Sequence, residues 1–170
     1  DIQKLPNLHA MIALLRDGFH PQSEGGSIEL AGDGTPIIDY VINDYLWDGV
    51  RRSWLSMAEI QFAAGAKAVR ASHVDSPWFT SWEEAKAGIN ALEFRSNAFT
   101  AGSAHCMGGL TMGEDQTRCL VDSNGKYHHL DNLYVFDGSV FPTSIGANPQ
   151  LSIYGMACKQ ANKLLETLKA

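Results

Sequence analysis

Apolar residues in the first quarter of the chain follow two different spacings. From residue 7 to residue 16 they recur every three or four positions, which predicts a short helix that ends before Gly18. From residue 27 to residue 30 they alternate with polar residues, and the turn sequence Asp33–Gly34 leads to an apolar run over 37–42. This pattern predicts two strands joined as a hairpin.

Three later segments have a helical spacing. Apolar residues step by three or four from about residue 44, and Gly65 predicts the end of that helix before a short strand near Val69. Ser81 and Glu84 have the spacing of a capping box, so we expect a helix from there to Ala91. The segment 149–168 is predicted to be an amphipathic helix. Its apolar face would consist of Leu151, Tyr154, Ala157, Ala161, Leu164 and Leu168.

The composition changes near residue 100. Residues 101–150 are rich in Gly, Asn, Asp, Ser and His, with strand candidates only at 119–122 and 133–136. We therefore expect two parts: residues 1–100, with helices and a hairpin, and residues 101–170, with loops that carry chemistry and the final helix.

Composition and charge exclude several classes of protein. The 170 residues are 45% hydrophobic and 19% charged, as in ordinary soluble globular domains. A net charge of −6 without a run of Lys or Arg argues against a nucleic-acid partner. No apolar stretch approaches the roughly 20 residues that span a bilayer. Three cysteines, an odd number, argue against a disulfide framework and favour a cytoplasmic over a periplasmic location.

Two segments in the last 70 residues have features of ligand-binding loops. His105 is followed closely by Gly108 and Gly109, where the backbone can pass near a bulky group. The apolar run 133–136 ends in Asp137 and Gly138, as strands do where ligands bind in open α/β sheets. A structural histidine and a plain strand followed by a turn explain the same residues.

The third segment is Gly146–Ala–Asn148–Pro149–Gln150, directly before the final helix. Pro149 suits the first helical turn and Asn148 is a favoured N-cap residue, so a purely structural role is open for Asn148. The start of a helix also presents free N–H groups and a positive dipole end, which suit an electron-rich ligand such as a reduced flavin ring.

Taken together, the order and spacing of these segments resemble the C-terminal signature of the glucose-methanol-choline (GMC) oxidoreductases. The similar residues are His105–Cys–Met–Gly–Gly–Leu–Thr–Met–Gly113, Val121–Asp122, Asn132 to Pro142–Thr, and Gly146–Ala–Asn148–Pro149. The form of these motifs is nearer to the bacterial members and to the long-chain alcohol and sterol oxidase branches.

The resemblance implies an FAD-dependent enzyme that oxidises an alcohol CH–OH group, with hydride transfer to flavin N5. His105 matches the family's histidine at the reactive edge of the flavin, where a neutral imidazole can act as base. Asn148 matches a position held by His or Asn, and an amide there can orient the substrate oxygen. Asp137 and Gly138 match positions near the cofactor's diphosphate and ribityl region. Pro149 and Gln150 match positions beside its pyrimidine edge.

The resemblance also implies a mixed α+β and α/β fold, taken from a two-domain flavoprotein. Residues 1–100 resemble the end of its antiparallel-sheet substrate-binding domain, and residues 101–170 the last strand and helix of its FAD-binding domain. The dinucleotide motif Gly-x-Gly-x-x-Gly does not occur in the sequence. We therefore expect an N-terminal FAD-binding portion as partner, a small-molecule alcohol as substrate, and no turnover by this chain alone.

Two other functions fit parts of the sequence. A metal site could use His105, Cys106, Cys119, His128 and His129, but the spacings typical of metal ligands are missing, and we predict none. Alternatively, the chain is a non-catalytic binding or structural module that retains the family fold, with His105 as a core residue and Asn148 as a helix cap.

Overall fold

The computed structural model describes residues 2–18, 20–23 and 25–169. Within these residues it contains three α-helices and one two-stranded sheet. The helices are α1 (Asp44–Ala63), α2 (Trp82–Ala91) and α3 (Gln150–Lys169), and the strands are β1 (Gly26–Leu30) and β2 (Pro36–Tyr40). Two short 3-10 helices span Ile2–Asn7 and Gly138–Val140.

The chain divides into two compact units, and the second is not continuous in sequence. The first consists of Asp1–Leu15 and Gly26–Ala101, and the second of Arg16–Gly25 and Gly102–Ala170. Described residues of the segment 16–25 pack against the loop that precedes α3, at residues 143–146. Gly18, for example, lies so close to Thr143 that a Cβ atom would have no room there.

The predicted hairpin is present in the first unit. β1 and β2 pair antiparallel, with Ile28 opposite Ile38, and Gly34 adopts a positive φ of 83° in the turn. The Asp33 carboxylate accepts a hydrogen bond from the Thr35 backbone N–H at 2.9 Å. All ten strand residues are exposed, including the apolar ones.

Helices α1 and α2 form the core of the first unit, because each carries buried apolar residues at four-residue steps. In α1 these include Val50, Trp54 and Ala58, and in α2 they are Ala85 and Ile89. The residues that share one buried cluster are Val50, Trp54, Ala58, Val69, Ala71, Phe79, Ala85 and Ile89. The rings of Phe94 and Phe99 lie 5.5 and 5.8 Å from the Trp54 ring at the edge of this cluster.

The ends of both helices follow the sequence prediction. Gly65, with φ at 91°, ends α1 and donates its N–H to Phe62 O at 2.9 Å. Ser81 Oγ caps α2 by accepting from Glu84 N at 3.2 Å. The Glu84 carboxylate accepts from Thr80 N and Oγ1, and these bonds, the backbone one first, lower its pKa. Their contribution to stability is therefore present above the ordinary glutamate pKa and is lost as pH falls through the lowered one.

The predicted helix over residues 7–16 is wrong. The chain leaves the first 3-10 helix with Leu8 N donating to Leu5 O, and residues 8–17 have no helical turns. Ile12 exposes 84% of its surface and Leu14 59%. Isolated helices of this length are marginal in water unless packing buries their apolar face, and these side chains stay largely exposed.

The strands predicted at 119–122 and 133–136 in the second unit are also wrong. Val121 forms isolated bridges with Met112 and Tyr127, and Tyr134 forms one with Lys126. The ladder does not extend because the partner segments are short turns. One of them closes with Gly125 N donating to Asp122 O at 2.9 Å. The predicted fold class included the last strand of an FAD-binding domain within residues 101–170. The described part of this range contains no named strand, so the two-domain detail is not confirmed.

Helix α3 is present as predicted, but its packed face matches the predicted one only in part, at the half-buried residues Ala157, Ala161 and Leu164. Gln160 is 1% exposed, and the half-buried residues on its side of the helix include Ile153 and Met156. Leu151 and Leu168 are 83% and 74% exposed. The helix carries apolar residues on more than one side, so the spacing alone could not identify the side that packs.

Candidate active site

His105 lies half-buried on a loop whose direction is set by glycines. Its backbone N–H donates to Ser103 Oγ at 3.2 Å. Gly108 and Gly109 have φ values of 83° and 89°, a left-handed conformation that turns the chain at little cost only in glycine. After this turn, Leu110 N donates to Ser139 O at 3.2 Å, which ties the loop to the segment that follows Asp137.

The His105 imidazole contacts the side chain of Asn148, 43 residues later in the chain. Asn148 Nδ2 and His105 Nε2 are 3.1 Å apart. An amide nitrogen only donates, so His105 Nε2 is the acceptor in this contact. The contact fixes the orientation of the imidazole ring relative to the amide.

Asn148 is not the N-cap of α3. The helix begins at Gln150, and Pro149 O accepts the bond from Ile153 N at 2.9 Å, so Pro149 occupies the cap position. The interpretation of Asn148 as a capping residue is therefore wrong, because its side-chain amide binds His105 instead. Pro149 is buried, while Asn148 and Gln150 are exposed.

Asp137 and Gly138 lie behind the histidine loop. The Asp137 carboxylate caps the short 3-10 helix by accepting from the backbone N–H and the hydroxyl of Ser139. Gly138 is buried, and a Cβ atom there would lie 2.9 Å from Cys106 O and 3.1 Å from Ile153 Cδ1. In the described structure Gly138 therefore lets three segments meet next to His105, a packing role that the sequence did not indicate.

A cavity of about 330 Å³ opens beside the histidine–amide pair at the start of α3. Its lining residues are Ala104, His105, Asn148, Pro149, Gln150, Ile153 and Tyr154. Four of the six predicted site residues, His105, Asn148, Pro149 and Gln150, meet here. Among the described residues, Asp137 and Gly138 lie outside this lining. The first-turn N–H groups of α3 have no partner within the helix, and they give this end of the cavity a partial positive charge.

Tyr154 also lines this cavity, although its spacing in the sequence predicts a position on the apolar, packed face of α3. It is 60% exposed, and its hydroxyl accepts a hydrogen bond from Gln150 Nε2 at 2.7 Å. The spacing of four residues between Gln150 and Tyr154 puts them on the same side of α3. This spacing, directly after the Asn–Pro pair, is the feature of the sequence that could have identified Tyr154 as a neighbour of Gln150.

The histidines and cysteines of the alternative metal site have other surroundings. His128 Nε2 donates to Gly113 O at 2.9 Å, and the His129 ring lies 5.7 Å from that of Tyr127. Cys106, Cys119 and Cys158 are free thiols. The described residues contain no group of three or more His, Cys, Asp or Glu side chains that could hold a metal ion.

No helix in the described ranges has the length and apolar character needed to cross a bilayer.

In this cavity an imidazole lies beside an amide, at the start of a helix. A positioned imidazole can take part in proton transfer at an oxygen atom. Comparison with known proteins gives the family. Residues 21–157 match the C-terminal model of the GMC oxidoreductases, which is most of the chain, and the chain belongs to this family. The resemblance found in the sequence motifs is thereby confirmed.

Three relatives illustrate the range of the family around this chain. A 6'''-hydroxyparomomycin C oxidase of Streptomyces lividus is 37% identical over 49% of the chain and 15% of its own length. An uncharacterized GMC-type oxidoreductase of Sinorhizobium fredii is 29% identical over 86% of the chain and 29% of its own length. A long-chain-alcohol oxidase of Arabidopsis thaliana is 25% identical over 87% of the chain and 20% of its own length. The chain thus spans less than a third of the length of each.

Proposed function

We propose that this chain supplies the proton-transfer side of the active site of an FAD-dependent enzyme that oxidises an alcohol CH–OH group. The observation that carries the proposal is the 3.1 Å contact between Asn148 Nδ2 and His105 Nε2 at the edge of the cavity. Family membership supports it, because GMC oxidoreductases generally use FAD.

His105 acts as the base in this proposal. Removing the hydroxyl proton of the alcohol turns the substrate into an alkoxide, which releases a hydride from its carbon far more readily than an alcohol does. A positioned base of this kind contributes roughly 10²–10⁴-fold to the rate. The His105 imidazole suits the role because it lines the cavity, and its Nε2, which accepts from Asn148 Nδ2, can accept from the alcohol O–H in its place.

Asn148 orients the reaction. Its amide cannot take up a proton near pH 7, but it has a second N–H and a carbonyl oxygen that can bind the substrate oxygen. When the alcohol O–H takes the place of the Asn148 N–H at Nε2, the neighbouring amide can donate to the substrate oxygen and hold it beside the base. We therefore assign proton abstraction to His105 and positioning to Asn148.

The residues around the cavity fit the reactive end of a flavin. The start of α3 favours negative charge of the kind that a reduced flavin carries, and Gln150 offers a backbone N–H there. Pro149 has no N–H and offers an apolar ring. We infer that Asp137 and Gly138 approach the cofactor through their backbone. When bound, FAD supplies the two-electron acceptor, with N5 taking the hydride.

A larger polypeptide completes this site in the proposal. The relatives are several times longer than their matched regions, so we infer that an N-terminal portion carries the nucleotide-binding fold. Residues 1–100 would then belong to the substrate-binding domain, and residues 101–170 to the active-site loops and the last helix of the FAD domain. Alone, the chain is expected to turn over no alcohol.

The proposal is tested by the variant His105→Ala in the full-length protein that contains this chain. We expect bound flavin, seen by its visible absorbance, to remain, and anaerobic flavin reduction by an alcohol to slow at least about 10²-fold because the base is gone. His129→Ala is the matched control, since His129 is exposed and lies outside the cavity lining. A rate near that of the wild type in His105→Ala would show that His105 is not the base.

The same measurement addresses the non-catalytic alternative. A full-length protein without flavin absorbance and without flavin content after denaturation would favour a structural or binding module. Suitable substrates for the first screen are a long-chain alcohol and 6'''-hydroxyparomomycin C. Two relatives are named as oxidases of these compounds.

A further inference from the structure

Tyr154 lies in the cavity with its ring position fixed by a second side chain. Gln150 Nε2 and Tyr154 Oη are 2.7 Å apart, and both residues line the cavity beside Asn148. Tyr154 is 60% exposed, whereas Gln160, on the packed side of the same helix, is 1% exposed. Tyr154 therefore adds little to the packing of α3. Its exposed side borders the cavity.

The direction of the bond leaves the tyrosine proton available. The glutamine Nε2 carries only hydrogens, so it donates and the phenol oxygen accepts. A phenol has one O–H, and that hydrogen is not used by the bond to Gln150. The pair thus presents an oriented O–H donor in a cavity that also contains the acceptor Nε2 of His105.

Holding two flexible side chains in one arrangement costs conformational entropy, of the order of 1 kcal/mol for a long side chain. A pair at positions i and i+4 on an exposed helix side typically contributes only a few tenths of a kcal/mol to helix stability. Stabilisation of α3 alone is thus a weak reason for this pair, whereas a donor held ready before a ligand arrives improves binding.

We propose that the Tyr154 hydroxyl donates a hydrogen bond to an oxygen atom of the molecule bound in this cavity, and that Gln150 is the positioning residue that orients it. The inference rests on the proposed function and extends it to a donor that the motif did not contain. Two oxygens share the required chemistry: the substrate oxygen next to His105 and a carbonyl of the flavin pyrimidine ring.

The test is the variant Tyr154→Phe in the full-length protein, which keeps the ring and removes only the hydroxyl. Loss of one neutral hydrogen bond weakens binding about two- to tenfold. If the acceptor is the flavin, the Kd for FAD added to apoprotein rises by that factor and the absorbance band of the bound flavin shifts. If the acceptor is the substrate, KM for the alcohol rises by that factor, while the Kd for FAD is unchanged.

Tyr127→Phe is the matched control, because Tyr127 lies outside the cavity lining and stacks near His129. A Tyr154→Phe variant with wild-type Kd for FAD and wild-type KM overturns the inference. Gln150→Leu should change the same constant as Tyr154→Phe, and the double variant should show no further loss. A fully additive loss in the double variant would contradict the positioning role.

The His105→Ala experiment keeps the two proposals separate. If His105→Ala reduces flavin at the wild-type rate, the proposed function fails whatever Tyr154 does. If His105→Ala behaves as expected and Tyr154→Phe changes neither binding constant, only the role of Tyr154 fails.

Discussion

Gly138 shows how a residue without a side chain lets neighbouring segments pack closely. Its buried Cα faces Cys106 O and the Ile153 side chain, so the histidine loop, the short 3-10 helix and α3 meet at this point. We predict that Gly138→Ala destabilises the protein by about 1–3 kcal/mol, the usual cost of overpacking. We also expect it to slow flavin reduction, because the added methyl group pushes on the residue next to His105.

Urea unfolding and anaerobic flavin reduction of the full-length protein check this prediction. Gly102→Ala is the control, since a Cβ atom at Gly102 would have nothing within 4 Å. Equal stability of the two variants would mean that the loop with His105 and Cys106 can move away from Gly138 freely. The packing at Gly138 would then not fix the position of His105.

At this scale the sequence could name candidate site residues but not the contacts that they make. His105 and Asn148 could be named because they lie in a recognisable motif. Their direct contact, across 43 residues of chain, depends on how the loop folds. Tyr154 was assigned to the core because it shares the helical spacing of several apolar residues. Its hydroxyl and its partner Gln150 argued against that assignment.

At the scale of elements, α2 and α3 offer a pair of glycines in opposite environments. A Cβ atom at Gly88 would lie 2.1 Å from Phe79 Cε1, inside the core of the first unit. At Gly155, in α3, nothing lies within 4 Å. We predict that Gly88→Ala lowers the free energy of unfolding by about 1–3 kcal/mol, because the buried Phe79 ring must move. Gly155→Ala should raise it by roughly 0.5–1 kcal/mol through helix propensity.

Chemical denaturation of both variants measures the difference, and each serves as the control for the other. The prediction fails if Gly88→Ala is as stable as Gly155→Ala, a result that would mean that α2 does not pack on Phe79 as described.

Elements whose signals lie within a few neighbouring residues were predictable. The cap at Ser81, the glycine that ends α1 and the turn of the hairpin are examples, and each forms through local hydrogen bonds. The helix over 7–16 and the strands at 119–122 and 133–136 were not, because their formation depends on packing or pairing with another segment. An apolar spacing cannot reveal whether such a partner is present.

At the scale of the whole molecule, the hairpin leaves its apolar residues exposed to solvent. Ile28, Leu30 and Ile38 are each at least 70% exposed, and both outer edges of the two-stranded sheet lack a neighbouring strand among the described residues. Exposed apolar strands with unpaired edges promote association. We predict that the 170-residue chain produced alone self-associates with rising concentration and binds a hydrophobic dye.

Sedimentation velocity over a range of concentrations checks this prediction. Ile38→Lys should reduce both the association and the dye signal, because it places a charge on the exposed strand. Leu168→Lys makes a comparable change at an equally exposed apolar residue outside the hairpin and should have a smaller effect. If the chain stays monomeric and does not bind the dye at high concentration, the hairpin does not mediate self-association.

The placement of His105, Asn148 and Tyr154 within one compact unit has a consequence for protein engineering under the proposed function. The proposed base, amide and donor can be kept together while the sequence of the other unit is changed. Protein engineers can use the same division. Exchanging residues 26–101 between relatives while retaining residues 102–170 is a rational way to search for new alcohol preferences without rebuilding the chemistry.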